Sequence, residues 1–252
     1  MKEKVTASPF LPGVPVAHVL ARLAAAGGDE IGSGKFTHPE SSAALAVNTF
    51  GWFIERPVDF PPLPGTGLMG TPERIEVEYC ARLPWSGGRH PWLDAVVITQ
   101  THLIGVESKR FEPFRDSKTV SLSSAYDRLV WGEQMSRFAS VRDRLRSGEL
   151  SFRHLDAAQL VKHAFGLVTE ARRLSRQPVL FYLYAEPHSR GGVRISTDDH
   201  RRHRDEIATF LKLVVGDEVV SLASSYGRWL DNAAPGSNSK VHIAHLRQRF
   251  GV

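Results

Sequence analysis

The chain has 252 residues, a length that can bury the full core of a globular protein. Its composition, with 42% apolar and 23% charged residues, is ordinary for such a protein. Its single cysteine, Cys80, excludes an intramolecular disulfide and a zinc site built from cysteines. The net charge of +5 favours a polyanionic partner, while the lack of a signal core and of an apolar run of ~20 residues predicts a cytoplasmic protein without membrane contact.

The first part of the chain, residues 1–35, is expected to be an arm followed by a helix. Prolines and a glycine interrupt the first 14 residues, and apolar residues then recur at helical spacing over residues 15–26. A second helix is predicted for residues 39–53, with Ser41 or Ser42 as its cap. Prolines and glycines crowd residues 54–71, so we expect a long surface connection there.

The stretch from residue 92 to residue 111 is the most informative part of the sequence. After a strand at residues 73–83, two near-continuously apolar runs follow at residues 93–98 and 103–109, separated by a polar turn. Their Val, Ile and Thr residues are typical of strands that are covered on both faces. The pattern therefore predicts a buried β-hairpin.

This buried hairpin carries three charged residues, Asp94, Glu107 and Lys109. If the chain turns between Gln100 and Thr101, Asp94 lies opposite Glu107, with the two Cβ atoms ~5 Å apart. Strand alternation places Lys109 on the same face as Glu107. Two carboxylates at ~4 Å repel each other by roughly 4 kcal/mol at an effective dielectric of about 20. A divalent cation between them removes this repulsion, and oxygen ligands suit Mg²⁺ or Mn²⁺.

Asp94 on one strand and the Glu107-Ser108-Lys109 triplet on the next resemble the core motif of the PD-(D/E)XK nuclease superfamily. Pro91 stands three residues before Asp94, whereas the motif of the superfamily has the proline directly before the acid. The segments SS at 41–42 and NTFG at 48–51, followed by this motif, also resemble one bacterial group of restriction endonucleases. The resemblance implies the α/β restriction-endonuclease-like fold, a central mixed sheet of about four to six strands flanked by helices.

The resemblance also implies metal-dependent hydrolysis of phosphodiester bonds in DNA, in restriction or phage defence. Asp94 and Glu107 would hold Mg²⁺ or Mn²⁺, with the backbone carbonyl of Ser108 as a further ligand. Lys109 would orient the attacking water or stabilise the developing charge. Glu40, at the start of the predicted first core helix, is a candidate for another metal ligand, and a favourable interaction with the helix dipole is the alternative.

Further helices are predicted at residues 126–145 and 156–174, followed by a strand at 178–185, a helix at 197–215 with Thr197 as its cap, and an edge strand at 218–223. Asp156 is the predicted cap of the second of these helices. In many members of the superfamily a helix at this point carries a glutamine that approaches the site, and Gln159 is the match. Lys162 would supplement Lys109. His163 is the third polar residue on this side of the helix, and a solvated helix face is the alternative for all three.

The chain is expected to consist of three parts. Residues 1–35 form the arm and helix, residues 36–232 the PD-(D/E)XK-like domain, and residues 233–252 a linker and a basic helix. The basic run after Lys109, from Arg110 to Lys118, is either a set of phosphate contacts or a solvated loop. A rival hypothesis is a nuclease-like fold that binds nucleic acid or a partner without cutting. The sequence leaves open RNA as the substrate and a homodimer as the assembly.

Overall fold

A mixed β-sheet lies at the centre of the fold in the computed structural model, which describes residues 8–27, 29–115, 118–233 and 239–252. The strands are β1 (Pro72–Cys80), β2 (Trp92–Thr99), β3 (His102–Lys109), β4 (Gln177–Tyr184), β5 (Ser189–Arg190), β6 (Val193–Arg194) and β7 (Val220–Ser225). Five of them form the central sheet in the order β1-β2-β3-β4-β7, and β5 pairs with β6 as a separate two-stranded ribbon. The strands β1, β2 and β3 are antiparallel neighbours, whereas β3, β4 and β7 run parallel.

Helices cover both faces of this sheet. They are α1 (Val16–Ala25), α2 (Ser42–Gly51), α3 (Ser136–Ser147), α4 (Ala157–Leu174), α5 (Thr197–Val214), α6 (Tyr226–Asp231) and α7 (Lys240–Phe250). The helices α3, α4 and α5 pack into the core on one face, and α1, α2, α6 and α7 pack into the core on the other. The predicted α/β class with a mixed sheet flanked by helices is confirmed. In the described part of the chain, no helix is long and apolar enough to cross a membrane.

The two terminal helices belong to the same core as the sheet. Val19 and Leu23 of α1 and Leu246 of α7 are buried together with Val77 of β1. The division of the chain at residues 35 and 233 stays a prediction. Residues 1–7 of the predicted arm and 234–238 of the predicted linker lie outside the described residues.

Side-chain caps define where several helices begin. The Ser41 hydroxyl accepts a hydrogen bond from the amide of Ala44 (3.1 Å), and the Asp156 carboxylate accepts one from the amide of Gln159 (2.9 Å), as predicted. The cap of α5 is Ser196, whose hydroxyl accepts from the amide of Asp199 at 3.0 Å, and the prediction of Thr197 is wrong by one residue. Thr197 is already the first helical residue.

The predicted helix over residues 126–145 is also wrong in its first half. Gly132 has φ 83°, which a helix does not allow, and Leu129, an apolar residue of the predicted helix, is fully exposed. Helix α3 begins only at Ser136, where the Asp217 carboxylate accepts hydrogen bonds from two amides of its first turn, with distances of 3.2 and 2.9 Å. This cap comes from 79 or 80 residues away, so local periodicity does not reveal it.

Candidate active site

The β2–β3 hairpin has the predicted register. Backbone pairing runs from Ile98–Leu103 near the turn to Ala95–Val106, and the same register extended by one residue would set Asp94 against Glu107. At that step the Ser108 amide donates a hydrogen bond to Oδ2 of Asp94, at 2.6 Å. The Asp94 carboxylate is therefore held at the end of β3, beside the Glu107-Ser108-Lys109 triplet.

Glu107 is 1% exposed, and two basic side chains contact its carboxylate. The Lys109 amine is ion-paired with Oε1, and Nδ1 of His163 in α4 lies 3.0 Å from Oε2. Burial alone raises the pKa of Glu107, but the charges of Lys109 and His163 outweigh burial and lower this pKa to about 2. Neither carboxylate oxygen accepts a hydrogen bond of regular geometry. Glu107 is thus an ionised buried group whose charge is balanced by two basic side chains.

The pKa of Asp94 is shifted in the opposite direction from that of Glu107. Burial first, and then the charge of Glu107, raise the pKa of Asp94 well above its ordinary value, and Lys109 offsets only part of this rise. The two carboxylates therefore resist being ionised together. A cation added to the site would favour the ionised form of both.

A third carboxylate, Glu78, lies at the same level of the sheet. The pairs Val77–Ala95 and Tyr79–Leu93 place Glu78 level with Asp94 across β1 and β2. Its φ of 48° is left-handed, which is rare for a residue other than glycine and is concentrated at functional sites. Burial, followed by the charge of Glu107, raises the pKa of Glu78 to about 7. The predicted strand at residues 73–83 contains Glu78, but nothing in the sequence assigned this residue to the site.

Helix α4 approaches the site through a residue other than the expected one. His163 is buried and contacts Glu107. Gln159 lies one turn earlier and is half-buried, and its backbone amide donates to the Asp156 cap. Lys162 is half-buried and makes no ion pair within the described residues. Gln159 and His163 are four residues apart and so share one side of the helix. A buried histidine in an apolar helix was the available signal for this contact.

Glu40 is not brought to the cluster by the fold. Its carboxylate contacts Nε of Arg190 at 2.9 Å and the guanidinium of Arg115 at 3.5 Å, and it precedes α2 instead of lying within it. At this end of α2, Glu112 is the carboxylate that interacts with Lys109. Burial alone raises the pKa of Glu112, but the charge of Lys109 and a hydrogen bond from Ser42 lower it. The arginines that neutralise Glu40 disfavour the metal-ligand role that we expected for it.

The basic run that follows β3 is mostly engaged within the protein. Arg110 is 9% exposed and donates to the carbonyls of Pro39 and Phe250, the latter at 2.7 Å. Arg115 pairs with Glu40, and Lys118 donates to a backbone carbonyl. Of the two alternatives for this run, neither phosphate contacts nor a solvated loop describes Arg110, whose donors are used by the fold.

The chemistry of the donors fits a magnesium ion. Among the described residues, no three acidic, histidine or cysteine side chains lie close enough together to form a complete metal site. Mg²⁺, however, is commonly held by one or two carboxylates, with water and phosphate oxygens as its other ligands. Asp94 and Glu107, with the Ser108 carbonyl in reach of the same strand end, fit that pattern. Mutual repulsion between the two carboxylates is the electrostatic condition that a divalent cation relieves.

No curated protein and no solved structure matches the chain. The sequence model of one family, described as "Restriction Endonuclease associating with ARP", matches residues 8–217. This range contains the whole cluster around Glu107 and most of the central sheet. The chain therefore belongs to the family of restriction endonucleases associating with ARP.

Proposed function

We propose that this protein is a nuclease that hydrolyses phosphodiester bonds in DNA with the help of Mg²⁺ or Mn²⁺. The observation that carries the proposal is the convergence of Asp94, Glu107 and Lys109 at one end of the β2–β3 hairpin, in a chain of a restriction-endonuclease family. The antiparallel register and the contact from α4 hold these side chains in place before a substrate arrives. Such preorganisation is the main source of electrostatic catalysis.

Asp94, Glu107 and the Ser108 carbonyl would hold the metal ion. A divalent ion supplies Lewis-acid stabilisation of the charge that develops on the phosphate. Glu107 is suited to this role because its lowered pKa keeps it ionised throughout the physiological range. The raised pKa of Asp94 would fall with a cation bound beside it, so that Asp94 would also serve as an anionic ligand. His163 is a positioning residue that orients Glu107, and we do not assign it a contact with the substrate.

Lys109 acts as a hydrogen-bond donor. Burial alone lowers the pKa of its amine, but the carboxylates of Glu107 and Asp94 outweigh burial and raise that pKa above its usual value. A protonated amine has three donors and no acceptor, so it does not remove a proton from water. Lys109 would therefore orient the attacking water through the water's lone pair, or bind a phosphate oxygen.

Digestion of supercoiled plasmid DNA with and without Mg²⁺ tests the proposal. We expect Asp94→Asn, Glu107→Gln and Lys109→Met each to lower the cleavage rate by about 100-fold or more, the scale on which preorganised groups contribute. Glu76→Gln is the matched control, since Glu76 is also a carboxylate of the sheet but pairs with His18. Undiminished cleavage by Glu107→Gln, or cleavage in the presence of EDTA, contradicts the metal-dependent mechanism.

Binding without cleavage is the alternative function. The description of the family names an association with ARP, and we include such an association in the proposal for this chain. If the chain is only a binding module, its affinity for DNA will be independent of Mg²⁺ and no plasmid will be cut. A parallel digestion of RNA identifies the preferred nucleic acid. Sedimentation of the protein with and without DNA tests for a homodimer.

A further inference from the structure

A cavity of about 770 Å³ opens on the α1 side of the sheet, between the end of α1 and the connection from β1 to β2. Its polar and aromatic lining consists of Cys80, Arg82, Arg89, His90 and Trp92, and no carboxylate is among the lining residues. The imidazole of His90 accepts a hydrogen bond from the Leu83 amide at 3.1 Å, which ties the connection back onto itself. The cavity is thus a basic recess at the end of the sheet where β2 begins.

The two arginines of this cavity are available for a ligand. Arg82 and Arg89 are exposed, and within the described residues neither is ion-paired with a carboxylate. Arginines elsewhere on the surface are commonly neutralised, as Arg172 is by Glu218 and Arg204 by Glu186. Arg82 hydrogen-bonds the Cys80 side chain, but two guanidinium groups without a carboxylate partner in one recess favour a phosphate, which arginine binds through paired N–H donors.

Trp92 is the aromatic residue of the recess. Four of the five tryptophans in the chain pack against other aromatic rings, but Trp92 has no such neighbour within the described residues. It is half-buried at the first position of β2, so its indole is supported by the sheet while part of it remains accessible. An indole presented in this way is a stacking platform for a nucleobase.

The position of Trp92 along β2 relates the recess to the cluster. Trp92 precedes Asp94 by two residues, a distance of roughly 7 Å along a strand. The recess and Asp94 therefore lie at the same end of the sheet. The same DNA strand would therefore reach both.

We propose that this recess binds an unpaired nucleotide of the DNA strand that is cut, with Arg82 and Arg89 at its phosphate and Trp92 stacked on its base. The base must be unpaired, because both faces of a paired base are covered by its neighbours in the duplex. The inference rests on the proposed nuclease function and specifies its substrate: DNA with a single-stranded segment beside the cleavage point.

Binding of fluorescent oligo-dT, alone or annealed to oligo-dA, tests this inference on the full chain in EDTA. We expect Trp92→Ala to weaken binding of the single strand by about tenfold and binding of the duplex by less than about twofold, whereas Trp92→Phe keeps most of the affinity. Arg89→Gln should reduce the slope of log affinity against log salt by about one, and Arg201→Gln on α5, the control, should not.

Several outcomes overturn the inference. One is that the unchanged protein shows no measurable binding of oligo-dT. The others are that Trp92→Ala loses equal affinity for the single strand and the duplex, or loses no affinity for either. If Trp92→Ala does not fold, Arg89→Gln carries the test, because an unchanged salt slope for oligo-dT in that variant also overturns the inference. The assay contains no metal and no cleavage, so a failure of the nuclease proposal leaves its result unchanged. Conversely, if the unchanged protein cuts plasmid and Trp92→Ala binds oligo-dT as tightly as the unchanged protein does, only this inference is contradicted.

Discussion

His163 and Glu107 are in contact across the boundary between helix α4 and strand β3, with 3.0 Å between Nδ1 of the imidazole and Oε2 of the carboxylate. Both side chains are almost completely buried. The contact connects the helix that covers one face of the sheet to the proposed metal ligand. It makes the orientation of Glu107 depend on where α4 lies.

We therefore expect His163→Ala to weaken the binding of Mn²⁺ by about tenfold, because residues that orient a metal ligand typically contribute factors of 10–100. In metal-free buffer the same change should lower the free energy of unfolding by about 2 kcal/mol, since it leaves a buried carboxylate with one partner fewer. Calorimetric titration and urea unfolding measure the two effects. His163→Gln should recover part of both, and an unchanged Mn²⁺ affinity in His163→Ala would remove the positioning role.

Glu78 should make the stability of the metal-free protein depend on pH. Its pKa of about 7 in the folded state lies above the ordinary value of 4.5, so between these values the folded state holds a proton that the unfolded state has lost. Stability therefore falls as the pH rises through this window, by up to ~3 kcal/mol, an upper limit because solvent screens a half-buried group.

Glu78→Gln should remove the decline in stability with rising pH. We expect the variant to match the unchanged protein near pH 5 and to exceed it in stability near pH 8, as measured by urea unfolding in EDTA. Glu76→Gln, two residues earlier on the same strand, serves as the control. Equal pH profiles for Glu78→Gln and the unchanged protein would show that Glu78 does not titrate in this window.

Gly166 allows α4 to approach the sheet closely. A Cβ atom at this position would lie 2.5 Å from Cγ of Pro91 and 2.8 Å from the carbonyl oxygen of Ala81. We expect Gly166→Ala to destabilise the protein by about 1–2 kcal/mol, because the clash exceeds the ~1 kcal/mol that alanine contributes in a helix. Gly227→Ala in α6, where a Cβ has no neighbour within 4 Å, is the control.

The same substitution should also affect the site, since α4 carries His163. Thermal unfolding gives the stability of Gly166→Ala, and Mn²⁺ titration reports whether the displaced helix weakens the metal site. A stabilised Gly166→Ala variant would mean that α4 moves without strain, which contradicts the close approach.

Arg110 should contribute to stability and not to DNA binding. Its guanidinium lies 4.9 Å from the ring centroid of Phe111 and 5.2 Å from that of Phe250, and it donates to the carbonyls of Pro39 and Phe250. We expect Arg110→Ala to lower the free energy of unfolding by about 2–3 kcal/mol, through lost charged hydrogen bonds and cation–π contacts. DNA affinity below the unfolding temperature should change by less than about twofold. A large loss of DNA affinity at unchanged stability would make Arg110 a phosphate contact after all.

The sequence by itself determined the α/β class, the bounds of most elements and the hairpin that holds Asp94, Glu107 and Lys109. These features depend on interactions between residues close in the chain: strand alternation places Lys109 on the face of Glu107, and a short turn sets the register. In the same way, the caps Ser41 and Asp156 act within one helical turn.

Only the tertiary structure decided which distant residues complete the site. His163 reaches Glu107 because α4 packs over β3, Glu78 becomes level with Asp94 through the pairing of β1 with β2, and Asp217 begins α3 from the loop after α5. The sequence left the roles of Glu40 and Arg110 open for the same reason, since their partners lie far away in the chain. Such contacts arise from how whole elements pack, and the free energy of that packing is spread over many side chains that no local pattern records.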